Sequence, residues 1–320
     1  MATPAEKFKI IKEITSRDNN MLNITMLCEI AGVSRSGYYN WVNSEEKRKE
    51  KDAQDREDFE LILEAYNYRG YAKGVRSIYM RLLHKGIVMN HKKISRLMDK
   101  FNLVCPIRKA NPYRRMAKAM KTSNIADNLV NREFKQGPRM VILTDITYLF
   151  YGSKGIKVYL SVMKDAQTNE ILSYVLSDSF EVDFVLETVY QLMEKHGDTI
   201  KAKETIMHSD QGCQYTSYDF QKLIKDKEMR QSMSRRGNCW DNAPQESFFG
   251  HMKDEIGAKV KACDSYQNLQ ALIDDYMDYY NNDRYQWNLA KLAPSEYYEY
   301  CITGIHPLGL KGKDDDTTKE

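Results

Sequence analysis

The spacing of apolar residues along the chain changes near residue 140. Before this point apolar positions recur every three to four residues, as in the face formed by Ile94, Leu97 and Met98, and this period indicates amphipathic helices. From residue 140 onward, β-rich apolar runs are joined by short turns, which indicates strands. We therefore predict an all-α first part followed by a part built on a β-sheet.

Three apolar runs open the second part, at residues 140–151, 156–163 and 171–176. Because the turns between them are short, they predict an antiparallel meander. The pattern then predicts a helix that closes at Gly197, a fourth strand, an amphipathic helix, a short strand and a helix that carries Glu246. This βββαβαβα order predicts an α/β fold in which helices pack on a mixed sheet.

The first part contains the pattern of a helix-turn-helix at residues 24–41. An apolar helix is followed by a tight turn, by Ser34 as a helix N-cap and by a second helix. The second helix of such a motif enters the major groove of DNA, so the residues predicted to contact DNA are Arg35, Ser36 and Tyr39. A plain helical hairpin that packs its own core fits the same pattern and stays open as an alternative.

A second helical unit is predicted between residues 61 and 105. Two apolar faces lie opposite basic residues, and Asn90 is placed to cap the helix that follows it. This arrangement predicts a second DNA-binding unit. Its predicted contacts are Arg76, Asn90, Lys92, Lys93 and Arg96.

The basic residues are concentrated in the first part of the chain. Residues 1–140 hold 28 Lys and Arg against 16 Asp and Glu, and residues 68–121 hold 15 basic residues against one acid, Asp99. Phosphate backbones are the usual counterpart of such a charge, although a solubilising surface is the alternative. Prolines and little periodicity predict that residues 106–139 are a linker that lies along DNA. Its predicted contacts are Arg108, Lys109, Arg114 and Arg115.

The composition sets the class of protein. A chain of 320 residues with 42% hydrophobic content can bury a proper core. Its six cysteines show no CxxC spacing, so neither a disulfide framework nor a cysteine zinc site is indicated. The chain has no leader pattern and no apolar run near the ~18 residues that span a bilayer, and we predict a soluble, cytoplasmic protein.

Three carboxylates in the second part are candidates for a metal site. Asp145 interrupts an apolar strand, where an isolated charge would be costly; Asp210 ends a strand; and Glu246 lies on the polar face of a helix. Hard oxygen ligands favour Mg²⁺ or Mn²⁺. Two such ions about 3.5–4 Å apart would suit in-line displacement at a phosphodiester. Taken singly, each acid has another explanation. Asp145 could cap a turn, Asp210 could be an ordinary loop residue, and Glu246 could be solvated.

The motifs around these acids resemble those of a known family. Residues 144–147 (TDIT), 208–212 (HSDQG) and 232–249 (SMSRRGNCWDNAPQESFF) are similar to the catalytic motifs of bacterial insertion-sequence transposases of the DD(35)E type. The 35 residues between Asp210 and Glu246 match that spacing. The resemblance runs from about residue 24 to residue 298. It implies a ribonuclease H-like core like that of retroviral integrases, and the product of an element's second reading frame.

The resemblance implies a metal-dependent reaction on DNA. Asp145, Asp210 and Glu246 would hold two Mg²⁺ ions, with Mn²⁺ as a substitute, and the enzyme would nick the 3′ end of its element and transfer that strand. Double-stranded DNA with terminal inverted repeats would be the partner, bound by a homodimer or larger assembly, and the product of an upstream reading frame is a further candidate. The predicted DNA contacts in this part are Lys253, Arg235, Arg236, Asn238 and Arg284.

Pattern, charge and resemblance together divide the chain into six segments. We predict a helix-turn-helix with a connecting helix at 1–60, a second helical unit at 61–105 and a basic linker at 106–139. A ribonuclease H-like catalytic core at 140–262, a helical extension at 263–305 and a disordered tail at 306–320 would follow.

The chain departs from the family pattern at two positions. Many relatives carry Trp where this chain has Ile142, and His where it has Gln286; the first change should alter packing only, and the second puts any role of a histidine there in doubt. Two other functions fit the same residues. One is a DNA-binding regulator with an inactive core, and the other is a ribonuclease H-like nuclease without strand transfer.

Overall fold

The computed structural model describes residues 2–17, 20–71, 73–105, 125–235 and 239–310. Six residues predicted to contact DNA lie outside these ranges: Arg108, Lys109, Arg114, Arg115, Arg236 and Asn238. Most of the predicted tail, residues 311–320, also lies outside them. No helix in the described ranges is both long and apolar enough to cross a membrane.

The described chain forms helices first and then a sheet with further helices. The helices of the first part are α1 (Pro4–Thr15), α2 (Ile24–Ala31), α3 (Arg35–Asn43), α4 (Glu45–Asn67), α5 (Val75–His84) and α6 (His91–Lys100). The second part contains β1 (Val141–Tyr151), β2 (Ile156–Asp165), β3 (Ile171–Ser177), α7 (Asp183–His196), β4 (Ile206–Ser209), α8 (Tyr218–Asp226) and β5 (Arg230–Met233). It ends with α9 (Ala243–Ala262), α10 (Tyr266–Asn282) and α11 (Pro294–Thr303).

The first three helices form the predicted helix-turn-helix arrangement. The turn after α2 places Gly32 in the left-handed region, at φ 64°, where a residue without Cβ is least strained. Ser34 caps α3 by accepting a hydrogen bond from the Gly37 N–H at 3.1 Å, as predicted. Phe8, Leu27 and Tyr38 are buried together, so α1 closes the small core of this unit.

The second helical unit begins earlier than its sequence pattern indicates. Helix α4 runs without interruption through residue 60, and its Ile62 and Ala65 pack in one buried cluster with Ile78 of α5 and Ile94 of α6. The boundary predicted at residue 60 therefore falls inside a helix that belongs to this unit. The predicted cap is confirmed, because the Asn90 side chain accepts a hydrogen bond from the Lys92 N–H at 2.8 Å.

The five strands form one mixed sheet in the order β3-β2-β1-β4-β5. The first three strands are antiparallel, while β4 runs parallel to β1 and β5 runs parallel to β4. Apolar residues of α7 and α8 pack on one face, and those of α9 and α10 pack on the other. The predicted ribonuclease H-like α/β architecture is confirmed.

The described half of the predicted linker packs against the sheet. Val130 is buried with Val141, Leu143 and Ile206, and the Leu129 N–H donates to Ser232 Oγ on β5 at 2.9 Å. Residues 125–139 therefore follow the edge of the core, and the predicted path of the linker along DNA stays a prediction. The cause of this packing is a pair of apolar side chains, Val130 and Phe134, among the charges.

The C-terminal helices join the helical unit to the sheet through α9. Arg284, which follows α10, donates to Glu255 of α9 at 2.7 Å and 3.0 Å, and the Tyr276 hydroxyl donates to the same carboxylate at 3.0 Å. On the other side, Arg69 lies 2.8 Å from Asp278. The orientation of α9 thus depends on a buried ion pair.

Removing the charge of Glu255 should destabilise the protein strongly. Glu255→Gln leaves the Arg284 guanidinium mostly buried without its counter-ion, and breaking such a pair costs about 3–5 kcal/mol. Urea denaturation should show this loss, whereas Asp254→Asn, at an exposed neighbouring position on α9, should stay within about 0.5 kcal/mol of the parent. Equal stability of the two variants would refute this role.

Candidate active site

The parallel pairing of β1 and β4 brings Asp145 and Asp210 together. The last pair in this register is Leu143 with His208. Asp145 and Asp210 each lie two residues beyond that pair, and because the two chains run in parallel they lie next to each other. The Asp145 carboxylate accepts from the Ile146 N–H and the Asp210 carboxylate from the Gly212 N–H, both at 2.8 Å. A Cβ on Gly212 would lie 2.9 Å from Asp210 Oδ1, which explains the glycine.

The two aspartates share a poorly solvated site. Desolvation raises the pKa of Asp145 well above its usual value, and the nearby charges of Asp210 and then Glu246 raise it further, while the Ile146 N–H and Lys253 act in the opposite direction. Burial also raises the pKa of Asp210. Carboxylates in such surroundings favour a cation or a proton between them.

Helix α9 presents Glu246 near this pair. Phe248 and Met252 are buried under the helix, while Glu246 is exposed, so the predicted division of α9 into an apolar and a polar face is confirmed. At the start of the helix the Asn242 amide donates to Asp145 Oδ2 at 3.3 Å. The helix start is therefore tied directly to the first aspartate.

A buried lysine that the sequence analysis did not identify also holds this helix. Lys164 of β2 donates to the Pro244 carbonyl at 2.5 Å and is almost fully buried; desolvation lowers the pKa of its ammonium to about 7. The Pro244 carbonyl, at the first turn of α9, thus accepts one hydrogen bond from the Lys164 ammonium. The signal in the sequence is a charged residue directly after the apolar run at residues 156–163.

Asp241 is a second residue whose role the sequence analysis missed. Its buried carboxylate accepts from Arg235 Nε and Arg132 Nε, each at 2.9 Å, and the Arg235 hydrogen bond is the largest cause that lowers the pKa of this acid. Its carbonyl lies 2.9 Å from His208 Nε2. Asp241 thus fixes the turn before α9 to β4 and to the segment before β1.

The predicted DNA contacts of the first part differ in their surroundings. Arg35, Ser36 and Tyr39 are exposed on α3, so a DNA duplex can reach them. On α6, Lys92 is exposed, but Arg96 pairs with Asp55 at 2.7 Å and Lys93 with Asp58 at 2.5 Å. The contact predictions for Lys93 and Arg96 therefore require DNA to compete with aspartates of α4.

Three predicted contacts of the second part also have partners within the protein. Arg235 is bound to Asp241 although its side chain is about half exposed. Lys253 lies 4.8 Å from the centre of the Tyr148 ring and close enough to Asp145 to lower the pKa of that acid. Arg284 is mostly buried against Glu255, which leaves it to stabilise the fold.

The donor set fits a hard divalent cation in part. Asp145 and Asp210 offer paired, poorly solvated carboxylate oxygens of the kind that Mg²⁺ prefers. Across the described ranges, however, no three His, Cys, Asp or Glu side chains are grouped closely enough to hold a metal ion. The negative charge of Glu246, on α9, raises the pKa of Asp145.

Family models match most of the chain. One described as "Integrase core domain" matches residues 135–239, which include both aspartates, and a second with the same description matches residues 246–300, which begin at Glu246. One described as "HTH-like domain" matches residues 53–111. This last match falls on the second helical unit, and α2 and α3 lie outside it.

Similar proteins include transposases of bacterial insertion elements. A transposase-like protein of Haemophilus influenzae is 36% identical over 218 residues, which is 67% of this chain and 95% of that protein. The putative transposase InsK for insertion sequence element IS150 of Escherichia coli is 34% identical over 243 residues, 74% of this chain and 81% of that protein.

A solved structure with a similar core is the catalytic core domain of HTLV-2 integrase in complex with magnesium. It is 16% identical, has a TM-score of 0.40, and covers 51% of this chain and 99% of that one. The family assignment depends on the sequence relatives and family models. On their identity and coverage, this chain belongs to the family of bacterial insertion-sequence transposases with an integrase core domain.

Proposed function

We propose that the protein is a Mg²⁺-dependent transposase that binds the terminal inverted repeats of its element, nicks the 3′ end and transfers that strand to a new site. The observation that supports this most is the pairing of Asp145 and Asp210 in a poorly solvated corner of the sheet, with Glu246 on the adjoining helix. Family membership supports DNA as the substrate, and the paired carboxylate oxygens support Mg²⁺ as the metal.

The carboxylates have separate tasks in this proposal. Asp145 and Asp210 would hold the metal, and Glu246 on the adjoining helix would be the third ligand. When bound, two ions would activate the attacking oxygen and stabilise the leaving oxygen of the phosphodiester. Lys253 faces the same region and contacts a phosphate of the reacting strand. Asn242, Lys164 and Asp241 keep the start of α9 in place.

DNA recognition is assigned to the helical first part. Exposed Arg35, Ser36 and Tyr39 of α3 are positioned as a recognition helix, and Arg76, Asn90 and Lys92 would contact DNA from the second unit. Arg108, Lys109, Arg114, Arg115, Arg236 and Asn238 remain predictions outside the described residues. A homodimer or larger assembly on two DNA ends and a partner from an upstream reading frame also remain predictions.

Replacing Asp145 should abolish the reaction. Asp145→Asn removes one charge of the metal-binding pair with little change of shape, and strand transfer of DNA that carries the element's terminal repeats should fall at least about a thousandfold. Gel electrophoresis of labelled ends measures both nicking and joining. Asp254→Asn makes the same chemical change at an exposed position of α9; it is the matched control and should react like the parent.

The same assay separates the proposal from its alternatives. A parent enzyme that nicks but never joins would be a nuclease without strand transfer, and one that binds ends without nicking would be an inactive regulator. Nicking and joining by Asp145→Asn at the parent rate would show that the assignment of the carboxylates is wrong.

Binding of Mg²⁺ should stabilise the parent protein through the same pair. A ligand at a hundredfold excess over its Kd adds about 2.7 kcal/mol to the stability of the folded state. Thermal unfolding of chelator-treated protein should therefore shift upward as Mg²⁺ is added, and Asp145→Asn should lose most of the shift. An equal shift in both proteins would place the bound metal elsewhere.

A further inference from the structure

A cavity of about 250 Å³ adjoins the two aspartates. Asp145 and Asp210 line one end of it, and three aromatic residues, Tyr148, Tyr159 and Phe180, line much of the rest. The metal-dependent reaction requires none of these aromatic side chains. Because these rings lie beside the two aspartates, they suit a ligand whose aromatic group is close to the reacting phosphate.

The walls of the cavity are fixed by the fold. Tyr148 and Tyr159 are opposite each other in the register of β1 and β2. The Phe180 ring, in the loop after β3, lies 4.6 Å from the Tyr159 ring at an angle of 36°. The Gln214 amide donates to the Phe180 carbonyl at 3.0 Å, which ties this loop to the turn that follows Asp210. The cavity is thus formed before any ligand binds.

The rim of the cavity is a contiguous aromatic patch. Tyr148 is 53% and Phe180 47% exposed, Tyr159 lies next to both of them, and a contiguous exposed patch marks a binding surface more often than scattered apolar residues do. The Lys157 ammonium lies 4.7 Å from the Tyr159 ring and 5.2 Å from the Tyr148 ring. Aromatic faces beside a cation are the usual platform for the bases of unpaired nucleic acid.

The size of the cavity suits a small ligand. Drug-sized ligands occupy pockets of roughly 300–1,000 Å³, so a cavity of about 250 Å³ suits a fragment such as one base. The acids at its inner end would repel an anion in the absence of metal. A base whose own phosphate lies over Asp145 and Asp210 satisfies both conditions.

We propose that this cavity holds one nucleobase of the DNA end, unstacked from the duplex and adjacent to the scissile phosphate. The base stacks on the exposed Phe180 ring, which itself packs against Tyr159, and Lys157 contacts the neighbouring backbone. This inference depends on the proposed function, because it assigns the base to the strand that the carboxylates act on. Enzymes that act on a DNA base hold it outside the stack in a comparable pocket with aromatic walls.

The first experiment compares two exposed phenylalanines. Phe180→Ala should lower the rate of strand transfer about 5- to 100-fold, the effect of losing one stack of a base on an aromatic ring. Phe150→Ala is the matched control. Phe150 lies on β1, is 46% exposed and contacts Tyr148 edge-on, but does not line the cavity, so its variant should react at the parent rate.

The second experiment removes the base in place of the ring. DNA ends are prepared with an abasic site at each of the two nucleotides that flank the scissile phosphate. At the position that enters the cavity, the parent and Phe180→Ala should react at the same rate, because the stacking partner is already missing. The proposal would be overturned if Phe180→Ala reduced the strand-transfer rate by the same factor on intact DNA and on both abasic DNA ends.

Photocrosslinking gives a readout that does not depend on rate. DNA ends carrying 5-iododeoxyuridine at those two nucleotides, bound to the parent protein, should crosslink to Phe180 or Tyr159, as mapped by mass spectrometry. Crosslinks confined to other residues would refute the base pocket.

Failure of the base pocket can be told from failure of the proposed function. A parent protein that joins no ends refutes the transposase assignment and, with it, the pocket. If the parent joins ends and Phe180→Ala equals Phe150→Ala, only the pocket is wrong. Thermal unfolding of both variants at the parent temperature shows that a lower rate does not come from misfolding.

Discussion

Two carboxylates that repel each other in one poorly solvated corner of the sheet are the constraint on which the rest of the molecule depends. Asp145 and Asp210 come together because β4 pairs in parallel with only the first three residues of β1. Their burial costs free energy unless a cation lies between them. Hydrogen bonds from the N–H groups of Ile146 and Gly212 keep the two side chains oriented despite this cost.

Much of the structure around this corner serves to hold α9 above it. The helix is tied to the sheet at its start by Lys164 and Asn242 and to the C-terminal extension by the pair of Glu255 and Arg284. Asp241 fixes the turn that leads into it. Because Glu246 lies on this helix, its distance from the aspartates is set by these contacts, of which only the hydrogen bond from Asn242 to Asp145 involves one of the three acids.

The sequence predicted what depends on local pattern and missed what depends on contacts between distant segments. Ser34 and Asn90 were recognised as caps because capping is decided within a few residues. The sheet and the faces of α9 followed from periodicity. The burial of Arg284 and the packing of Val130 depend on partners more than ten residues away, and periodicity carries no information about them. The aromatic cavity was invisible for the same reason, since Tyr148, Tyr159 and Phe180 converge only in the folded protein.

The most direct test of the central claim is anomalous X-ray diffraction from crystals of the protein with its element-end DNA and Mn²⁺. We expect manganese contacted by oxygens of both Asp145 and Asp210, with a Glu246 oxygen completing the site and a DNA phosphate opposite. Manganese held by other side chains, or aspartates without manganese in a crystal that contains nicked DNA, would contradict it.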